Sequence, residues 1–250
     1  MEKIIKEKLD EIEKVEKVKI LYCVESGSRA WGFASPDSDY DVRFIYLRNE
    51  DFYLRLDSKR DVIEWQLDDT LDINGWDLQK ALQLLHKSNP TMFEWCYSPI
   101  VYKNTKEWEK ISSIVNKYFN KKSAIYHYLN MAKGNYRQYL KGETVRLKKY
   151  FYVLRPLLAC EWIIKEETPP PVLFEILMDK CLDEIVRPEV LKLIDMKTNN
   201  PEITEGKRVD ILNDYILKKI SSIENTLTNL TENKTNFWEE LNSVFISLVK

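Results

Sequence analysis

An apolar run from Val18 to Val24 ends at Glu25-Ser26-Gly27-Ser28, and ten residues further on Asp39-Tyr40-Asp41 opens a second run that ends at Leu47. Short runs rich in Val, Ile, Tyr and Phe read as buried strands, here over 18–24 and 40–47. Gly27, Gly32, Pro36 and four serines between them read as a loop with one helical turn. Leaving one strand through Gly-Ser and entering the next through Asp-x-Asp restricts what the chain can build. Glycine lets the backbone approach a phosphate, serine adds a hydroxyl donor, and a helix start presents free N–H groups to an anion. Alternate strand residues face one way, so Asp39 and Asp41 are expected to project side by side. Paired carboxylates repel unless a cation lies between them. All-oxygen donors suit Mg²⁺ or Mn²⁺, which also bind substrate phosphates.

The surrounding pattern is α+β. Residues 2–15 carry Ile4, Ile5, Leu9, Ile12 and Val15 at helical spacing. Further strands are expected at Val62–Gln66 and Leu71–Asn74, separated by the acidic turn Asp68-Asp69. A helix is expected from Trp76 to Lys87, a short helical piece after Asn89-Pro90, and an edge strand at Ser98–Tyr102. From about residue 105 the pattern is helical, broken at Gly142, at Pro169-Pro170-Pro171, at Pro188 and at Asn199-Asn200-Pro201. Strands first and helices afterwards predict a domain over 1–104 and a helical region over 105–250, free to pack as one unit.

Other classes fall away. Cys23, Cys96, Cys160 and Cys181 form no C-x-x-C pair, and with His86 and His127 the only histidines, a zinc site is not expected. The charged start Met1-Glu2-Lys3-Ile4-Ile5-Lys6 lacks the apolar core of a signal peptide, and no stretch is apolar enough to span a bilayer. A cytoplasmic, reduced protein with no membrane partner is the expectation. The net charge of −2 means that any nucleic-acid surface must be local.

Strand, Gly-Ser, ten residues, Asp-x-Asp, strand resembles the signature of the DNA polymerase β nucleotidyltransferase superfamily. The flanking residues narrow this. Glu25–Phe33 (ESGSRAWGF) and Ser35–Arg43 (SPDSDYDVR) are similar to a family of predicted bacterial and phage nucleotidyltransferases linked to RNA repair. Gly75-Trp76-Asp77-Leu78, Asn89-Pro90, Glu94-Trp95, Ser98–Tyr102 and Lys148–Pro156 (KKYFYVLRP) continue the likeness, which covers roughly residues 20–165. The resemblance implies a nucleotidyltransferase fold: a small mixed sheet with flanking helices, then the helical region. It implies a transferase that moves a nucleoside monophosphate from a nucleoside triphosphate such as ATP to an acceptor hydroxyl, with pyrophosphate released. Asp39 and Asp41 would bind two metal ions. A third acid on a neighbouring strand would bind the metal that activates the attacking hydroxyl, or act as its base. Asp72 is the choice, with Asp77 and Glu64 as alternatives; an acid such as Asp77 at a helix start also interacts favourably with the dipole. Gly27 and Ser28 would hold the β/γ-phosphates. Arg29 would contact a phosphate or shore up the loop, and Arg43 would neutralise acidic neighbours.

One local basic segment stands out. Lys133, Arg137, Lys141, Arg146, Lys148, Lys149 and Arg155 face a single acid, Glu143, with Tyr136, Tyr139, Tyr150 and Tyr152 interleaved. Lys148, Tyr152 and Arg155 share one face if the segment is helical. Lys148, Lys149, Tyr152 and Arg155 are the candidates for gripping a triphosphate or a nucleic-acid backbone. The bland alternative is a solvated face with its tyrosines in the core. Arg155-Pro156 predicts a kink. Trp31, Trp65, Trp76 and Trp95 read as packing residues, and His86 as a helix-end partner of the dipole. An RNA or DNA end is the favoured acceptor; a protein or small-molecule hydroxyl, or a catalytically silent nucleotide-binding module, are the rivals.

Overall fold

A computed structural model describes residues 1–57, 59–68, 70–199, 205–231 and 238–250, without the side chains of 66–68. Asp69 of the expected acidic turn, and Asn200 and Pro201, lie outside the described residues. In chain order the first elements are α1 (Glu2–Glu16), β1 (Lys19–Glu25), α2 (Gly27–Trp31), β2 (Tyr40–Leu47), α3 (Glu50–Leu54) and β3 (Val62–Asp68). Next come β4 (Leu71–Asp77), α4 (Leu78–His86), α5 (Pro90–Cys96), β5 (Val101–Asn104), α6 (Lys106–Ser112) and α7 (Lys121–Tyr139). The rest are β6 (Thr144–Arg146), α8 (Phe151–Glu166), α9 (Phe174–Cys181), α10 (Arg187–Asn199), β7 (Glu205–Lys207), α11 (Asp210–Asn229) and α12 (Trp238–Val249). No described helix is long and apolar enough to cross a membrane.

The chain divides into two compact units. One holds Met1–Ala30, Asp39–Tyr118 and Lys234–Lys250; the other holds Trp31–Ser38 and Phe119–Asn233.

The first unit is built on a mixed sheet in the order β3-β4-β2-β1-β5. Only β2 and β4 run parallel, with Asp41 opposite Asp72; the other pairs are antiparallel. One sheet face is apolar: Ile20, Cys23, Val42, Phe44, Tyr46, Ile63, Leu71 and Ile73 pack with Ile5, Leu9 and Ile12 of α1. Because strand side chains alternate, Asp41, Arg43, Asp72 and Asn74 emerge on the opposite face. The expected helix from Trp76 begins later. Trp76 and Asp77 complete β4, and Asp77 caps α4 by accepting the Gln79 N–H at 2.8 Å. Gly75, one residue beyond the end expected for this strand, lies within β4 directly opposite Phe44. A β-carbon on Gly75 would lie 2.2 Å from the Phe44 ring. The edge strand comes slightly later than Ser98–Tyr102, and α3 has no counterpart in the sequence reading.

The second unit is a helical core in which Ala124, Ile125, Tyr128, Leu129, Leu154, Leu158, Leu177 and Ile216 are buried. Phe33, from the 31–38 segment, packs on Phe151 and Phe174 with ring centroids 4.7 and 5.3 Å apart. Within the helical region, β6 and β7 pair as a small antiparallel ribbon. Pro188 does not break a helix; it lies in the first turn of α10, where its missing N–H costs nothing. Pro156 sits inside α8, which continues through it. The Tyr152 carbonyl that Pro156 cannot serve accepts instead from the Asn135 side-chain amide at 3.3 Å.

Candidate active site

Glu25, Asp41 and Gly27 fix the geometry where β1 ends and β2 begins. Asp41 donates its N–H to Glu25 Oε1 at 2.8 Å, and its carbonyl accepts from the Ser26 N–H at 2.8 Å. Glu25 is fully buried and also accepts from the Tyr102 hydroxyl, while Ser98 Oγ donates to the Glu25 carbonyl at 2.6 Å. Burial pushes the Glu25 carboxyl above the usual range, against the opposing pull of the Tyr102 and Asp41 hydrogen bonds. Burial, and then the Glu25 partner, push the Tyr102 phenol up in turn. The backbone that carries Asp41 is thus held from behind. Glu25 and Tyr102 have no role in the sequence reading. Their only signal is a carboxylate closing an apolar run and a tyrosine in the edge strand.

Gly27 has φ +60°, a left-handed conformation that side chains resist. A β-carbon there would lie 1.9 Å from Asp41 Oδ2. The glycine brings its backbone against the carboxylate, and Ser28 follows it in the one-turn α2. Arg29 Nε donates to the Asp39 carbonyl at 3.1 Å, and its guanidinium stacks 3.7 Å over the Tyr40 ring. These contacts tie Arg29 to the start of β2. Asp39 is exposed and stands just before β2.

Asp72 is the acid that the fold brings to Asp41. The two are opposite each other on parallel strands, and Arg43 lies between them. Arg43 Nη2 donates to Asp41 Oδ1 at 2.9 Å and to Asp72 Oδ2 at 2.7 Å. The alternatives are placed elsewhere. Asp77 is buried, caps α4 and accepts the Tyr53 hydroxyl at 2.9 Å; burial raises its pKa. Glu64 lies across from Asn74 and pairs with Arg60 at 2.5 Å.

Among the described residues, no three acidic, histidine or cysteine side chains close on one point to hold an ion by themselves. Mg²⁺ asks for less: one or two carboxylates, with substrate phosphates and water completing the shell. Asp39 and Asp41 fit that requirement by donor type, and Asp41 stands beside the glycine. The position between Asp41 and Asp72 does not fit it in the same way, because a guanidinium already bonds both carboxylates.

The other expected binding residues belong to the second unit. Lys148 and Lys149 lie in a 3-10 turn ahead of α8, so the continuous helix face expected for Lys148, Tyr152 and Arg155 starts only at Tyr152. Lys149 Nζ stands 4.2 Å over the Tyr139 ring and 4.5 Å over the Tyr152 ring. Arg155 is buried, with its guanidinium 4.8 Å over the Trp31 ring, which also meets Tyr152 edge-on. Nearby acids temper the basic segment: Lys133 pairs with Glu224 at 2.5 Å, and Arg146 with Glu205 at 3.7 Å. Trp76 stacks on the buried Trp95 at 3.8 Å, a packing role as expected, and His86 in the last turn of α4 stacks on Trp238 at 3.8 Å.

Comparisons with known proteins follow the same lines. Residues 1–247 match the family RlaP, described as the RNA repair pathway DNA polymerase beta family. The uncharacterized protein YcgL of Bacillus subtilis (strain 168) is 42% identical over 247 residues, which cover 97% of this chain and 95% of that protein. A crystal structure of a nucleotidyltransferase-like protein from Exiguobacterium sibiricum 255-15 matches 90% of this chain and 74% of that one at 11% identity. Its TM-score of 0.33 is too low to argue from.

Proposed function

Because the chain belongs to the RNA repair pathway DNA polymerase beta family, we propose that it transfers a nucleoside monophosphate from a nucleoside triphosphate to a hydroxyl at an RNA end. The observation that carries this reading is the meeting of Asp41 with Asp72 across β2 and β4, with Gly27 backed against Asp41. The acceptor oxygen forms a bond to the α-phosphorus, the bond from that phosphorus to the β-bridging oxygen breaks, and pyrophosphate leaves. The hydroxyl proton passes to Asp72 or to water. Asp39 and Asp41 would hold Mg²⁺ or Mn²⁺, which when bound neutralises the phosphates and stabilises the leaving group. Gly27 and Ser28 present backbone and hydroxyl donors to the β/γ-phosphates, and Arg29 keeps that loop in place. Glu25 holds the backbone of Asp41 in position.

The RNA end is favoured by the family's description and by the exposed Tyr152 beside Lys148 and Lys149, which suit bases and phosphates. Arg155 supports that surface through Trp31, which meets Tyr152 edge-on. The four free thiols suit the reducing cytoplasmic setting that we propose. Arg43 between the carboxylates favours a second reading, a nucleotide-binding module without transfer.

Incubation with each nucleoside triphosphate, Mg²⁺ or Mn²⁺, and RNA, DNA, protein or small-molecule acceptors separates these readings. Pyrophosphate release that needs an RNA end and disappears in Asp41→Asn supports the proposal. Nucleotide binding without release for any acceptor favours the silent module, and release driven by another acceptor moves the substrate class.

A further inference from the structure

Resting on that reading, we propose that Arg43 takes the place of one of the two divalent cations, so that the chain works with a single metal ion. Arg43 Nη2 bonds one oxygen of Asp41 and one of Asp72 at 2.9 and 2.7 Å. A metal bridging the two carboxylates would compete with Arg43 for them. A Mg²⁺ ion bonding both at about 2.1 Å would occupy the volume of that nitrogen and repel its charge.

Arg43 is also anchored independently of the carboxylates. Nη1 donates to the Asp72 carbonyl at 2.8 Å and to the Val42 carbonyl at 3.1 Å. Both carbonyls belong to the two parallel strands, and the side chain is only 17% exposed. Displacing it would break two backbone hydrogen bonds as well as two ion pairs. The other Asp41 oxygen, Oδ2, faces Gly27, on the loop assigned to the phosphates. Oδ1 of Asp41 is thus committed to Arg43, and the one remaining ion would be held by Asp39 and Asp41. Asp72 keeps its place through Arg43 instead of through a metal.

Native mass spectrometry of the full chain with Mn²⁺ and an α,β-methylene analogue of each nucleoside triphosphate counts the ions in the complex. The expected count is one Mn²⁺ per chain–nucleotide complex. Arg43→Met, which removes the charge and keeps the bulk, should rise to two; Arg43→Lys should stay at one. Two Mn²⁺ ions in the unaltered chain would overturn the inference, and so would a folded Arg43→Met that stays at one. Circular dichroism checks that variant's fold, and the unaltered chain decides by itself if the variant does not fold. No bound Mn²⁺ in any form, with nucleotide present, contradicts the metal-dependent reading itself.

Discussion

Gly27 and Asp41 are packed so closely that the smallest side chain on the first would stand 1.9 Å from the carboxylate of the second. Gly27→Ala therefore meets two obstacles. The left-handed backbone costs about 1–2 kcal/mol with a β-carbon, and the Asp41 carboxylate must move aside. A displacement near 1 Å at a reacting centre lowers rates on the order of 100-fold. Steady-state kinetics and thermal unfolding should show the rate falling by about that factor and the melting point falling with it. A variant with unchanged transfer would mean that the loop does not position Asp41.

Asp72 and Asp77 are five residues apart on one strand and should fail in different ways. Asp72→Asn leaves the fold intact and lowers transfer by at least about 100-fold, because a carboxylate at the reacting atoms is lost. Asp77→Ala removes an N-cap and costs about 1–2 kcal/mol in denaturant unfolding, with transfer per folded molecule little changed. The opposite pattern would make Asp77 the third acid.

The pH dependence of stability also separates them. Burial raises the folded pKa of Asp77 above its unfolded value, so the native state binds the proton more tightly. That contribution is fully present below the ordinary aspartate pKa and is lost as pH rises through the raised folded value. Denaturant melts across the acidic range should show this loss. Asp77→Asn, which keeps an N-cap acceptor, should flatten it; an unchanged slope would assign the effect to another group.

In the second unit, the lysines and the arginine divide binding from stability. Lys148→Ala and Lys149→Ala should weaken nucleotide or RNA binding by about 10-fold each, more at low salt, with unfolding little affected. Arg155→Ala should instead destabilise the fold by about 2 kcal/mol, because Arg155 is only 3% exposed and stacks on Trp31. Filter binding and calorimetric unfolding read the two effects separately.

The local features of the site were legible from the sequence. Val42, Phe44 and Tyr46 mark one face of β2, which fixes the direction of Asp41, and glycine before Ser28 announces a backbone that no other residue adopts easily. What was not legible depends on residues distant in sequence. Nothing near Asn74-Gly75 shows that Phe44 will press on it, so β4 reads as ending early. Arg43 and Asp72 are 29 residues apart, and only the parallel register brings them together. Arg155 reads as part of a basic face because Trp31, on which it stacks, comes from a distant segment just after β1. The β6–β7 ribbon joins segments too short and too far apart to show any period.

The central claim is chemical, and the most direct measurement follows the α-phosphate. A nucleoside triphosphate labelled at the α-phosphorus, incubated with the chain, Mg²⁺ or Mn²⁺ and an RNA end, should leave its label on the RNA. The same nucleotide labelled at the γ-phosphorus should not, and Asp41→Asn or a chelator should abolish transfer. Labelling from the γ-position, or no transfer of α-label to any acceptor while the nucleotide binds, would contradict the account.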